Sequence, residues 1–202
     1  MDLFWENKGW ESSDRHLVEL SLAPFNRPFF ELDTLTGPAL FVLRGPRQVG
    51  KSSLLKTLLS KYPNPKQAFY LSCENIDGYQ ELSSILRSIR ASRKLILLDE
   101  VSFVKEWARS VKHEIDSGYA GVIIVTGSHA ADLRLGADQL PGRFGKGRAL
   151  TLRPMNFQEF CEARKNAAWP DLPRLELLKL YFRIGGMPSA VIESGIDGKV
   201  PK

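Results

Sequence analysis

The apolar positions of this chain fall into two kinds of pattern. Five short runs are nearly unbroken: Ala39-Leu40-Phe41-Val42-Leu43, Ala68-Phe69-Tyr70-Leu71, Leu95-Ile96-Leu97-Leu98, Val122-Ile123-Ile124-Val125 and Ala149-Leu150-Thr151-Leu152. A strand that is apolar on both faces needs cover on both. The runs therefore predict a five-stranded, mainly parallel sheet flanked by helices. The segments between them have helical periodicity instead. Residues 52–62 carry Leu54, Leu55, Leu58 and Leu59 and stop at Pro63. Residues 79–91 carry Leu82, Ile85, Leu86 and Ile89, and residues 103–116 carry Phe103, Val104, Trp107, Val111 and Ile115 before Gly118. Strand alternating with helix is the signature of an α/β fold with right-handed crossovers.

Past Pro154 the strand-like runs cease. Asn156-Phe157-Gln158-Glu159 reads as a capping box that opens a helix to about Arg164. Residues 171–183 form a second helix candidate, with Leu175, Leu178 and Phe182 among its apolar positions. Gly185-Gly186-Met187-Pro188 interrupts the pattern before a last short helix. Three regions follow: residues 1–37 as an N-terminal helix (13–22) with a Pro- and Phe-rich connector, 38–153 as the α/β core, and 154–202 as a small helical lid.

Composition narrows the class without changing this picture. The 202 residues are 43 % apolar and 25 % charged, which excludes global disorder and collagen-like or coiled-coil chains. No apolar run approaches the ~20 residues of a membrane-spanning helix. The start, MDLFWENKGWESSDR, lacks the basic flank and apolar stretch of a secretory signal. Cys73 and Cys161 cannot build a disulfide framework, and neither has a Cys or His at metal-ligand spacing. A reducing cytoplasmic setting without membrane partners is the expectation. The net charge of +5 permits an anionic ligand such as a nucleotide but does not by itself argue for nucleic acid.

The strongest chemical signal follows the first run directly. Gly45-Pro46-Arg47-Gln48-Val49-Gly50-Lys51-Ser52 fits G-x-x-x-x-G-K-[ST], the Walker A pattern, between a buried strand and a helix. There, successive backbone N–H groups curl around phosphate, glycine permits close approach, and the helix adds the positive end of its dipole. Gly45 to Ser52, with Ser53 beyond, are the candidate nucleotide cradle. Lys51 would reach the β- and γ-phosphates, and the Ser52 hydroxyl would ligate Mg²⁺.

The third run ends in Asp99-Glu100, a Walker B-like acidic pair at the carboxyl end of a buried strand. Asp99 is placed to hold the Mg²⁺ shell, and Glu100 to polarise a water for in-line attack on the γ-phosphate. The fourth run ends at Thr126-Gly127-Ser128-His129, where Ser128 is a candidate γ-phosphate sensor or a cap for the next helix. His129 reads as an exposed loop residue. In Pro141-Gly142-Arg143-Phe144-Gly145-Lys146-Gly147-Arg148, Arg143 is a candidate for stabilising transition-state charge, in its own site or in a neighbour's.

Together, in this order, Gly-Pro-Arg-Gln-Val-Gly-Lys-Ser, Leu-Leu-Asp-Glu with Trp107 downstream, Thr-Gly-Ser, Pro-Gly-Arg, Leu-Arg-Pro-Met-Asn-Phe-Gln-Glu-Phe and Gly-Gly-Met-Pro resemble a family. It is that of the predicted prokaryotic AAA+-type P-loop ATPases, whose ATPase domain precedes a C-terminal domain of unknown function. The resemblance spans about residues 38–191. It implies a P-loop NTPase core, an extra strand between the cradle strand and the acidic strand, a catalytic glutamate and a helical lid. By position, Lys51 and Ser52 match the cradle, Asp99 and Glu100 the acidic pair, Ser128 the sensor and Arg143 the Pro-Gly-Arg arginine. Pro188 resembles the proline that related switch ATPases pack near adenine. Ser52-Ser53 stands where the family more often has two threonines. Relatives continue past Lys202, so the expectation is either a fragment of a longer protein or a short member without the output domain; in the longer protein that region would bring a nucleic-acid or protein partner.

The expected function is a Mg²⁺-dependent, ATP-hydrolysing AAA+-type switch that cycles between ATP and ADP. Two alternatives stay open: a nucleic-acid-binding module ordered by ATP, to which Arg87, Arg90, Arg93 and Lys94 would lend basic surface, and a small-molecule phosphotransferase. An arginine supplied in trans would require at least a dimer, so a homo-oligomer is a further expectation. No Asn-Lys-x-Asp element for guanine is present.

Overall fold

The computed structural model describes residues 3–22, 35–167, 169 and 171–196. Most of the connector expected after the N-terminal helix lies outside the described residues.

The apolar runs are strands, as their pattern predicts: β1 (Ala39–Arg44), β2 (Ala68–Ser72), β3 (Leu95–Asp99), β4 (Val122–Gly127) and β5 (Ala149–Thr151). They form one sheet in the order β2-β3-β4-β1-β5, and every neighbouring pair is parallel. An isolated antiparallel bridge joins Ala39 to Gly145. β1, β3 and β4 are buried almost throughout, whereas edge strand β5 is largely exposed. Burying each Leu, Ile or Val of these runs is worth about 1.5–3 kcal/mol, so the sheet fixes the fold.

Eight α-helices surround it among the described residues: α1 (Arg15–Leu22), α2 (Lys51–Lys61), α3 (Tyr79–Ile89), α4 (Trp107–Asp116), α5 (Ala130–Asp138), α6 (Phe157–Asn166), α7 (Arg174–Ile184) and α8 (Pro188–Ile196). The segment before α4 makes a 3₁₀ turn at Val101–Phe103 rather than extending the helix. None of the helices among the described residues is long and apolar enough to cross a membrane.

Topology decides where a ligand can sit. β4 lies between β1 and β3, the insertion that the family resemblance implies. β2 and β3 lie to one side of it and β1 and β5 to the other. In an open α/β sheet the crevice forms at the carboxyl ends where strand order reverses. The register fixes the heights there. Leu43 is level with Thr126, and Leu98 is level with Val125. Hence Asp99 and Thr126 emerge together, beside the turn that leaves β1.

α6, α7 and α8 gather on their own cluster of Met155, Phe160, Ala163 and Val191. The capping box is present: Asn156 accepts from the Glu159 N–H, and Glu159 accepts from the Asn156 N–H. The Tyr181 hydroxyl donates to the Met155 carbonyl at 2.8 Å, and the Met155 N–H donates to Gly186 at 2.7 Å. One expectation is corrected here. In α7 the side chains that pack inward are Leu177, Leu180, Tyr181 and Ile184, while Leu175 and Phe182 are 62 % and 78 % exposed. α7 has apolar residues around most of its circumference, so periodicity did not distinguish the packed stripe from the exposed one.

Candidate nucleotide site

The loop between β1 and α2 needs glycine at both ends, for different reasons. A Cβ on Gly45 would lie 2.5 Å from the Leu152 carbonyl oxygen. Gly50 has φ +96°, a left-handed conformation that other residues resist. Between them Gln48 also adopts positive φ, 61°. Val49 anchors the loop by burying its side chain with Leu43 and Leu152.

Lys51, the first residue of α2, is buried. Its ammonium donates to the carbonyls of Gly45 (3.1 Å) and Pro46 (2.9 Å) and to Ser128 Oγ (3.0 Å). Glu100 Oε1 lies 3.5 Å away. Burial pushes the Lys51 pKa down, and the Glu100 carboxylate opposes that shift. The lysine is thus a cation drawn inside the crevice and held there by oxygen atoms.

Glu100 stands at the end of β3 with φ 52°. Its N–H donates to Thr126 Oγ1 at 3.1 Å. Ser128 holds both carboxylate oxygens: the backbone N–H donates to Oε2 at 2.8 Å and the hydroxyl to Oε1 at 2.6 Å. α5 opens after His129 with no side-chain cap, so the Ser128 hydroxyl serves the carboxylate rather than the helix. His129 is exposed, as expected.

Asp99 occupies a different environment. Its carboxylate is buried, and both oxygens accept hydrogen bonds, Oδ2 from the Tyr70 hydroxyl at 2.9 Å and Oδ1 from the Thr126 hydroxyl. Burial and the facing Asp99 push the Tyr70 pKa far up, so Tyr70 remains a donor. Lys56 lies 5.7 Å from the centre of the Tyr70 ring. Tyr70 was not legible as a site residue, since it is one more position of an apolar run; Thr126 stood at the polar end of the fourth run, where Ser128 was the candidate.

The structure gathers Gln48, Val49, Gly50, Lys51, Ser52, Ser53, Glu100 and Pro188 around one cavity of about 920 Å³. Pro188, first residue of α8, brings the C-terminal helices to the loop. α1 forms another wall that no motif announced, with His16, Leu17 and Leu20 among the lining residues. Arg143 is not brought to this cavity. Its guanidinium makes a two-pronged pair with Asp116, at 2.7 and 3.1 Å, at the end of α4 that leads into β4. That is the amino end of the sheet, so a role in its own chain's site is not what the geometry provides.

No cluster of three or more His, Cys, Asp or Glu that could hold a metal exists among the described residues. The residues still suit Mg²⁺, which keeps several waters and binds through one or two carboxylates plus substrate phosphates. Ser52 offers a hydroxyl on the cavity. Asp99, next to Glu100 in the chain, offers a carboxylate oriented by two donors.

Known proteins bear on the family and on the fold. A family model described as an AAA domain matches residues 38–161, more than half of the chain. The chain belongs to the AAA domain family of P-loop ATPases. Solved structures share the fold. The Walker-type ATPase PABY2304 of Pyrococcus abyssi has TM-score 0.54 at 18 % identity, over 96 % of this chain and 69 % of that one. The Aeropyrum pernix ORC2 protein, in its ADPNP-ADP complexes, has TM-score 0.52 at 14 % identity, over 93 % of this chain and 60 % of that one. Domain III of the replication initiation protein DnaA from Thermotoga maritima has TM-score 0.50 at 15 % identity, over 86 % of this chain and 88 % of that one. At such identities the likeness speaks for the fold alone. The curated proteins contain no match.

Proposed function

We propose that the chain binds ATP in the crevice at the carboxyl ends of β1, β3 and β4, and hydrolyses it to ADP and phosphate with Mg²⁺. One observation carries this reading. Lys51 and Glu100 line the cavity together with Gln48 to Ser53 of the phosphate loop, and Ser128 lies within 3.0 Å of both. A cation for the phosphates, a carboxylate for water and a hydroxyl joining the two form a hydrolytic set.

The residues divide the work. The loop amides and Lys51 bind and orient the triphosphate. A carboxylate oxygen has two lone pairs, so Glu100 can accept from an attacking water while Ser128 still holds it. As the water oxygen bonds to the γ-phosphorus, the bridging bond to the β-phosphate breaks, and Glu100 takes the water's proton. Mg²⁺, held by Ser52 and Asp99, would neutralise charge on the β- and γ-oxygens. The contacts of Ser128 with both Lys51 and Glu100 support a role in registering whether the γ-phosphate is intact. The lid residues Pro188, Ser189 and Ile192 border the same cavity, which supports a switch in which α6–α8 close on ATP and relax on ADP. A role for Arg143 in a neighbouring chain's site would make hydrolysis depend on assembly.

The test is ATP and ADP binding by calorimetry with and without Mg²⁺, alongside phosphate release. Specific binding with slow release supports the reading. A wild-type chain that binds neither nucleotide refutes it.

A further inference from the structure

The N-terminal helix presents a histidine to the phosphate loop that the family motifs do not include. His16 is half-buried on α1 and lines the cavity with Gln48 to Ser53. Its Nδ1 lies 3.5 Å from Ser53 Oγ on α2. The helix that carries it is pinned. Asp14 caps α1 by accepting from the N–H groups of His16 (3.0 Å) and Leu17 (3.2 Å). The other Asp14 oxygen pairs with Lys56 of α2 at 2.6 Å, with both side chains nearly buried.

Helical geometry tells which side of the loop His16 watches. Side chains two residues apart on a helix diverge by about 200°. Lys51 points to Glu100 and Ser128, so Ser53 points the other way, and there it meets His16. The groups facing the imidazole are Asp14 and Glu19 of its own helix, Lys56 of α2 and Asp99 of β3. Burial holds its pKa below the ordinary histidine value, followed by the effect of Lys56. The tautomer sets the direction of the Ser53–Nδ1 hydrogen bond; in the tautomer where the Ser53 hydroxyl donates, Nε2 carries the proton and is the donor offered to a ligand.

We infer that His16 is a further nucleotide-binding residue, donating a hydrogen bond to the phosphate chain or ribose on the flank of the loop away from the γ-phosphate. This rests on the reading of the crevice as a nucleotide site. It sets the N-terminal helix in the binding machinery and not merely beside it.

The experiment measures affinity for ADP and for ATP, with Mg²⁺, on the full chain carrying His16→Phe, His16→Gln or Lys51→Ala. Phenylalanine keeps the ring volume without a donor, and glutamine restores a donor. Hydrogen bonds to charged groups predict a loss of about tenfold or more for His16→Phe. The inference expects the same factor for ADP and ATP, with His16→Gln closer to wild type, while Lys51→Ala weakens ATP more than ADP. Wild-type affinity in His16→Phe overturns it, as does a loss confined to ATP. A wild-type chain that binds no nucleotide is a different result: it removes the nucleotide reading itself, and the inference with it.

Discussion

The two ends of the sheet are both rich in charge, and they use it differently. At the amino end, charged groups are matched locally. Arg143 pairs with Asp116. Arg93 donates to Glu6 (2.8 Å) and to the carbonyls of Lys66 (2.6 Å) and Ala68 (3.0 Å). At the carboxyl end, Lys51 and Glu100 converge on a shared cavity, and Ser128 bonds to both. Beneath them the Tyr70–Asp99–Thr126 layer spends its polar groups on orienting one carboxylate. Pairwise satisfaction stabilises a fold. Convergence on a space that a ligand can enter is what chemistry needs.

The sharpest way to break this comparison is Glu100→Gln. Glutamine keeps the shape but cannot take a proton from water. Single-turnover phosphate release should fall by about 10²–10⁴-fold, the usual worth of a general base. ATP affinity, measured by calorimetry, should stay within a few-fold of wild type. Full turnover in the variant would remove Glu100 from the mechanism.

Asp99→Ala should be the largest effect on stability. It leaves the Tyr70 and Thr126 hydroxyls buried without their acceptor, at about 1–3 kcal/mol each. Urea unfolding should show a loss of about 2–6 kcal/mol, and the Mg²⁺ dependence of ADP affinity should weaken. The amino end offers the contrasting case. Arg93→Ala removes charge-assisted hydrogen bonds to two carbonyls and a carboxylate. It should cost about 1.5–3 kcal/mol in the same unfolding assay, with turnover per folded molecule unchanged.

How much of this was legible in the sequence follows from the physics of each element. Strands buried on both faces must be apolar without interruption, so β1 to β4 announced themselves. The loop from Gly45 to Ser52 is readable because its backbone path demands glycine at set places. Glu100 was readable because β3 ends in two acids. What stayed hidden depends on contacts distant in sequence. Tyr70 precedes Asp99 on a separate strand, and only the β2–β3 register brings the hydroxyl to the carboxylate. His16 is a lone histidine on an amphipathic helix until α1 packs on α2. Arg143 is the opposite case: its Gly-rich surroundings suggested a place beside a γ-phosphate, in its own site or a neighbour's, and the 140–148 segment runs back to Pro38 and Ala39 at the amino end, away from its own chain's crevice.

Tyr70→Phe probes the orienting layer more gently than Asp99→Ala. The ring and its packing under Lys56 remain, and one hydrogen bond to Asp99 is lost. The expected cost is about 0.5–1.5 kcal/mol in unfolding. A higher Mg²⁺ requirement for nucleotide binding should accompany it, with nucleotide affinity at saturating Mg²⁺ preserved. A stability loss with no change in Mg²⁺ response would assign Tyr70 to packing alone.

The smallest effect expected is that of Arg143→Ala. The Arg143–Asp116 pair is solvent-exposed, and exposed ion pairs hold a fold weakly. The melting temperature should therefore stay where it is. Turnover in dilute solution should also match wild type, because the guanidinium is at the end of the sheet opposite Lys51. Repeating the assay across protein concentrations separates the two remaining roles. If Arg143 serves a neighbour's γ-phosphate, wild-type turnover per chain rises with concentration and the variant's does not. Parallel behaviour at every concentration would leave Arg143 as a surface residue and assign the whole of the chemistry to one end of one chain.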